Sequence, residues 1–303
     1  MAKPRHLLSV ADLSAGELAA LLDQASRERR YSGRRDILRG STVALLFEKP
    51  STRTRLSFEA AVAALGGHPV TLGPGDTQLS RGETLEDTAR TVGRLARAVV
   101  ARVHRHETLK TLARASPVPV INALSDREHP CQTLADLLTI RDRRRKLEGL
   151  KWAWVGDGNN VCHSSLLGAA LSGMEMAVAT PPGYEPDPKV VAAARRLGGR
   201  VALTRDPAEA ARDADLLYTD VWVSMGQEAE AEARRRDLRP YALTPSLLSR
   251  ARTDALVMHC LPAHRGEEIA EAVMDGPRSV VWDQVENRLH AQKALLAWLL
   301  KPA

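Results

Sequence analysis

A chain of 303 residues, 44% of them hydrophobic and 26% charged, is long enough for two domains of ordinary size and too apolar to be disordered. Its net charge of +6 and pI near 9.5 raise nucleic acid as a partner. Aromatic residues make up only 4% and do not interleave with basic runs such as Arg141-Asp142-Arg143-Arg144-Arg145, so stacking platforms are not expected, and a nucleic-acid-binding protein stays a competing reading from pI alone. The basicity is read instead as solvated surface plus an anionic substrate, with no nucleic acid as partner. No apolar run approaches bilayer length, and residues 1–8 lack the apolar core of a signal peptide, so a soluble, cytoplasmic protein with no membrane partner is expected. Cys131, Cys162 and Cys260 are far apart and odd in number, which suggests neither a disulfide framework nor a zinc site.

Residues 13–30 carry Leu13, Leu18, Leu21 and Leu22 on one helical stripe entered at Ser14. The stretch that follows organises the first half of the chain. Val43-Ala44-Leu45-Leu46 reads as a strand, Pro50 as a turn, and the run up to Leu65 as a helix that stops at Gly66-Gly67. Ser51 or Thr52 is the natural N-cap, which sets the free N–H groups of the first turn beside Arg53, Thr54 and Arg55. Capping accounts for a Ser-Thr pair. It does not account for two arginines in a first turn, where the helix dipole disfavours cations, so an anion is expected there and phosphate fits best.

Residues 69–72 form a short strand, and 73–82 a loop rich in breakers that contains Gln78. A helix over 83–95 leads to a buried-type strand over 98–103, with Arg102 at its carboxyl end. An arginine inside such a strand is costly unless paired, which favours a functional role. A helix over 107–115 and a strand over 118–123 precede His129, Pro130 and Gln132, with Pro130 at the first position of another helix. The Arg/Lys-rich residues 141–146 end that helix and mark the expected domain boundary.

The second half alternates again. Strands are expected at 152–155, 176–179, 200–203, 216–219, 255–258 and 280–282, mostly separated by helices. Gly156-Asp157-Gly158-Asn159-Asn160-Val161 nearly spells a dinucleotide fingerprint, but Val161 occupies its last position and the match carries little weight. The Asp220-Val221-Trp222-Val223-Ser224-Met225-Gly226 loop follows one strand, and its carboxylate and hydroxyl could hold an amino group. His259-Cys260-Leu261-Pro262 follows another and places a thiol at the rim, and a helix from Glu286 to Leu300 closes the chain. The fold class expected is α/β, with two doubly wound domains, each a mainly parallel sheet flanked by helices, joined by interdomain helices.

Ser51-Thr52-Arg53-Thr54-Arg55, His129-Pro130-Cys131-Gln132, the Asp220 to Gly226 loop and His259-Cys260-Leu261-Pro262 together resemble the carbamoyltransferases, and among them the ornithine branch. The motifs occur in family order and span the chain. The resemblance implies that Ser51, Thr52, Arg53, Thr54, Gln78, Arg102, His129, Gln132, Cys260, Leu261 and Arg288 bind carbamoyl phosphate. It implies that Asn160, Asp220, Ser224 and Met225 bind L-ornithine, and that Arg102, His129, Asp220 and Cys260 are catalytic. No metal and no cofactor are implied. Residues 1–142 with the returning helix 286–303 would hold carbamoyl phosphate, and residues 143–285 the amino acid. A homotrimer or an assembly of trimers is the implied state. Putrescine or an acylated ornithine as acceptor is the competing enzyme reading, and the Ser224-Met225-Gly226 loop speaks against it. A nicotinamide-linked dehydrogenase is weaker, since its fingerprint is incomplete.

Overall fold

The structure, a computed structural model, describes residues 3–30, 36–224 and 226–300. It divides into two compact units, Met1–Leu138 with Glu286–Ala303, and Thr139–Val285. The first unit runs α1 (Ala15–Arg30), β1 (Thr42–Phe47), α2 (Thr52–Ala64), β2 (His68–Leu72), α3 (Leu85–Leu95), β3 (Ala98–Arg102), α4 (His106–Ala115), β4 (Val120–Leu124) and α5 (Pro130–Arg144). Aliphatic runs without polar alternation, as in β1 and β3, suit a parallel sheet covered on both faces. Both strands are buried along nearly their whole length.

The sheet order is β2-β1-β3-β4 and every pair is parallel. The chain passes from β1 outward to β2, then returns to β3 on the other side of β1. Strand order therefore reverses between β1 and β3, and the crevice outside the carboxyl ends of such a pair is where open α/β sheets bind ligands. Leu46, Val99, Ala101, Leu109, Leu112 and Val120 form the core beneath it. Each buried valine or leucine there contributes about 1.5–3 kcal/mol.

The second unit continues with β5 (Lys151–Val155), α6 (Asn160–Leu171), β6 (Glu175–Ala179), α7 (Pro188–Arg196), β7 (Arg200–Thr204), α8 (Pro207–Ala211), β8 (Leu216–Thr219), α9 (Ala231–Leu238), α10 (Pro245–Leu248), β9 (Leu256–His259) and α11 (Glu271–Met274). Its order is β7-β6-β5-β8-β9, again all parallel, so the reversal falls between β5 and β8. Trp152 and Trp154 of β5 stack on Tyr218 of β8 with ring centroids 5.5 and 5.0 Å apart, and all three rings are buried. This packing pins the two strands whose ends form the second crevice.

The last helix, α12 (Val281–Leu299), corrects one expectation. Residues 280–282 are not a strand: Val281 opens the helix, well before the expected start at Glu286. Only an isolated pairing of Ser279 with Val257 remains of the strand reading. A buried Val281 beside an exposed Trp282 fits one-sided helix burial as well as strand alternation, and three residues span too few periods to separate the two. In the first unit α12 is tied to α1 by Lys293, whose Nζ lies 3.1 Å from Glu28 Oε2, both side chains buried. Within the loop at 73–82 the structure forms a short 3-10 helix, Gln78–Arg81. No helix among the described residues is long and apolar enough to cross a membrane.

Candidate active site

At the first reversal, β1 ends at Phe47 and α2 begins at Thr52, with Ser51 as N-cap accepting from the Thr54 N–H at 3.3 Å. Glu48 fastens this turn to the end of β3. Its N–H donates to the Arg102 carbonyl at 2.8 Å, and its carboxylate accepts from the His104 N–H at 2.6 Å. Arg102 closes β3 in a buried position, just past an irregularity in the β3–β4 register. From α12, Arg288 donates to Gln132 Oε1 at 2.6 Å and to Thr54 Oγ1 at 3.1 Å. Gln132 in turn donates through Nε2 to Asp136 Oδ1 at 2.8 Å.

His129 sits just before α5 and is buried. Burial holds its pKa well below 6.5, and the charges of Arg288, Arg102 and Arg53 push the same way. The imidazole is therefore neutral near pH 7 and can donate a hydrogen bond without adding charge. Three guanidiniums near enough to act on one histidine repel each other, and an anion bound among them would relieve that repulsion. Cys131, next in sequence, is no nucleophile: burial pushes its thiol up to about 12, and it donates to the Asn122 carbonyl at 3.4 Å.

Thr54, Arg102, His129, Gln132 and Arg288 are thus gathered in the first unit, with Arg53 close enough to act on His129. Ser51 caps α2, the helix of Arg53 and Thr54, and Thr52 is exposed at its start. Gln78 is not brought into this set, being exposed on its short 3-10 helix.

At the second reversal, Asp220 follows β8. Its Oδ2 accepts from Asn159 Nδ2 at 2.7 Å, and its Oδ1 accepts from the Val221 N–H at 2.8 Å and from Cys260 Sγ at 2.9 Å. Asn159 also caps α6, its Oδ1 accepting from the Val161 and Cys162 N–H groups. Asn160, the expected ligand, is the first residue of α6 and half-buried. Asn159 is the neighbour that touches Asp220, and its cap position was the signal that could have found it. Gly158 has a packing reason rather than a phosphate-binding one, since a Cβ there would lie 2.3 Å from Pro186 N.

Cys260 and Leu261 form a turn with Leu261 at φ +60°, a left-handed conformation that costs a leucine on the order of 1 kcal/mol or more. The Leu261 N–H donates to His259 Nδ1 at 2.8 Å, so the His259 proton is on Nε2, which faces Glu268 Oε1 at 3.2 Å. Both side chains are fully buried. Asp220, His259 and Cys260 offer ligand atoms within 4.8 Å of one another, a spacing that could hold a metal ion. With Nδ1 accepting and Nε2 protonated, however, the imidazole has no lone pair left to give one.

Arg234 of α9 was not singled out from the sequence. Its Nε donates to the Trp222 carbonyl at 2.6 Å, and its guanidinium pairs with the Asp157 carboxylate and lies 5.0 Å from the Tyr184 ring. It thereby ties the loop after β8 to the loop after β5. Burial pushes Asp157 up to about 6 although Arg234 opposes the shift. In the same loop the Ser224 N–H donates to Gln227 Oε1 at 3.0 Å, and Met225 lies outside the described residues.

Fold and sites together define a two-unit α/β protein that offers a cationic, donor-lined crevice on one sheet and a carboxylate with a thiol on the other. Residues 5–142 match the carbamoyl-P binding domain of the aspartate/ornithine carbamoyltransferases, and residues 148–299 match their Asp/Orn binding domain. An ornithine carbamoyltransferase from Archaeoglobus fulgidus is 53% identical over 299 residues, covering 98% of this chain and 97% of the relative. One from Parafrankia sp. is 55% identical over 305 residues, covering 98% and 96%. The solved ornithine carbamoyltransferase from Pyrococcus furiosus superposes with a TM-score of 0.93 at 50% identity, covering 97% of this chain and 96% of that one. The chain belongs to the aspartate/ornithine carbamoyltransferase family, and the expected α/β class with two parallel, doubly wound sheets holds.

Proposed function

We propose that this chain transfers the carbamoyl group of carbamoyl phosphate to the δ-amino group of L-ornithine, giving L-citrulline and phosphate. The observation that carries the reading is the cluster at the β1/β3 reversal, where Arg288 bonds Gln132 and Thr54 in the same unit as the buried Arg102 and His129. Relatives named ornithine carbamoyltransferase at about half identity over the whole chain support it.

In this reading Ser51, Thr52, Arg53 and Thr54 hold the phosphate at the N-terminus of α2, where free N–H groups and the dipole favour an anion. Arg102, His129 and Gln132 hold the carbamoyl end, and the family resemblance adds Cys260, Leu261 and Arg288 as residues that complete the pocket. Gln78 enters only through the family resemblance. Asn160, Asp220, Ser224 and Met225 receive ornithine, and to these we add Asn159 as the support of Asp220. The neutral δ-amine attacks the carbamoyl carbon, its lone pair forming the new C–N bond while the carbonyl electrons move onto oxygen. Thr54, Arg102 and His129 stabilise that oxyanion by hydrogen bonds aimed where charge develops. Collapse breaks the C–O bond to phosphate, which leaves with the bonding pair and takes up the amine proton, so no separate protein base is assigned. Asp220 and Cys260 orient the amine.

Phosphate is an activated leaving group whose charge the arginines offset, so the proposal assigns no cofactor and no metal. The family resemblance further supports a homotrimer or an assembly of trimers, a cytoplasmic location and a role in arginine biosynthesis. The deciding experiment is acceptor-dependent phosphate release from carbamoyl phosphate, with the carbamoylated product identified, using ornithine, putrescine, N-acetylornithine and aspartate as separate acceptors. Ornithine as the preferred acceptor is expected. A preference for any other acceptor would overturn the reading.

A further inference from the structure

Asp136 is fully buried on α5, one turn beyond Gln132, and belongs to none of the roles assigned above. A glutamine amide has two nearly isosteric orientations that exchange a donor for an acceptor. Here both ends are fixed by groups that have no choice. The Arg288 guanidinium can only donate, so the atom 2.6 Å from its Nη1 is Gln132 Oε1. Nε2 then faces Asp136 Oδ1 at 2.8 Å, an acceptor. A flipped amide would set its NH2 against the guanidinium and its oxygen against the carboxylate, two like-polarity contacts in a buried site.

The consequence reaches the ligand. With Nε2 bound to Asp136 through one hydrogen, the second hydrogen of that nitrogen stays a donor, while Oε1 is taken up by Arg288. Thr54 Oγ1 accepts from Arg288 Nη2 at 3.1 Å, so its hydroxyl proton also stays a donor. Gln132 and Thr54 then each keep a donor, as a dianionic phosphate and a developing oxyanion require. Freed from Asp136, Gln132 could turn its oxygen toward the anion. We propose that Asp136 is a positioning residue of the carbamoyl phosphate site, acting through Gln132 to fix the amide as a donor. This rests on the reading of the first crevice given under Proposed function.

The test is a double-mutant cycle on the full chain, with Asp136→Ala, Asp136→Asn, Gln132→Ala and the Gln132→Ala/Asp136→Ala pair. Losing the orientation should raise KM for carbamoyl phosphate by about 10- to 100-fold, as misplacement of a binding group does. KM for ornithine should stay at the parental value. Asp136→Asn keeps an acceptor oxygen for the amide and should recover most of the loss, which a merely structural role would not require. In the Gln132→Ala background the second substitution should change KM no further, because the two act as one unit. Should Asp136→Ala not yield folded protein, Asp136→Leu, closer in volume, takes its place and the same outcomes decide. A parental KM in that variant, or losses that simply add in the pair, would overturn the role of Asp136 alone. A parent enzyme that makes no citrulline would overturn the reading of the crevice and this inference with it.

Discussion

Replacing Arg288 by Met tests the electrostatics of the first crevice at its best-defined point. The side chain is buried, and the bonds it gives up include those at 2.6 Å to Gln132 and 3.1 Å to Thr54. Each charge-assisted bond is worth about 1.5–3 kcal/mol, but removing one cation also relieves repulsion with Arg53 and Arg102, so fold stability should fall by less than their sum. Catalysis has no such relief. One fewer cation on a dianionic leaving group should cost about 2–4 kcal/mol of transition-state stabilisation, or about 30- to 1000-fold in kcat/KM for carbamoyl phosphate. The pH profile gives a second readout. Burial is the larger cause that holds His129 below 6.5, and the Arg288 charge comes next, so the variant's His129 should titrate at higher pH while remaining depressed. With the neutral imidazole as the working form in the proposed mechanism, the acid limb of kcat/KM should move toward higher pH. Arg288→Lys keeps the charge without the planar fork and should fall between the two. Initial rates of citrulline formation between about pH 5 and 8 measure both effects. A loss under tenfold, or an acid limb that stays in place, refutes the reasoning.

Asp220→Asn should raise KM for ornithine while leaving KM for carbamoyl phosphate nearly unchanged, and kinetics with each substrate varied in turn would reveal the reverse pattern if the assignment is wrong. Arg234→Leu strands the buried Asp157 carboxylate and removes the donor to Trp222, which should destabilise the second unit by about 3–5 kcal/mol. Calorimetry should record a lower Tm, and an unshifted transition would show that the pair contributes nothing.

Much of the site was legible because its logic is local. An arginine-bearing first turn after an apolar strand declares an anion site through the helix dipole, whatever the rest of the chain does. The alternation of strands and helices gave two parallel sheets, and the places where strand order reverses then follow from topology. What stayed hidden depended on burial or on a choice between neighbours. Arg234 stands in the run Arg234-Arg235-Arg236 and reads as solvated surface, yet it is buried while its two neighbours carry exposed side chains. Asn159 and Asn160 are interchangeable until the first turn of α6 selects the cap. Asp136 shares a helix face with Gln132 by its spacing, but it stands among Leu134, Ala135, Leu137 and Leu138, a run that reads as packing. The 280–282 strand failed because β-branched residues favour a strand only when a partner strand is present along their length.

The two crevices differ in chemistry as sharply as they agree in topology. In the first crevice the described bonds leave donors: guanidiniums that cannot accept, an amide held with its NH2 available, and a hydroxyl whose oxygen already accepts. Around Asp220 the polarity is reversed. A carboxylate held by Asn159, Val221 and Cys260 still has lone pairs to offer, and nothing cationic contacts it among its described hydrogen bonds. A donor-only pocket discriminates for an anion and against an amine, because an ammonium would bury a cation among cations. The acceptor pocket selects the other way. Exchange of the two substrates between the sites is therefore disfavoured by charge before shape is considered. The proposed reaction needs a neutral δ-amine for attack, so Asp220 in its proposed role would have to hold the amine without keeping it protonated. Cys260 Sγ, 2.9 Å from Oδ1, occupies one of the positions an ammonium would take and leaves Asp220 a weaker trap for positive charge.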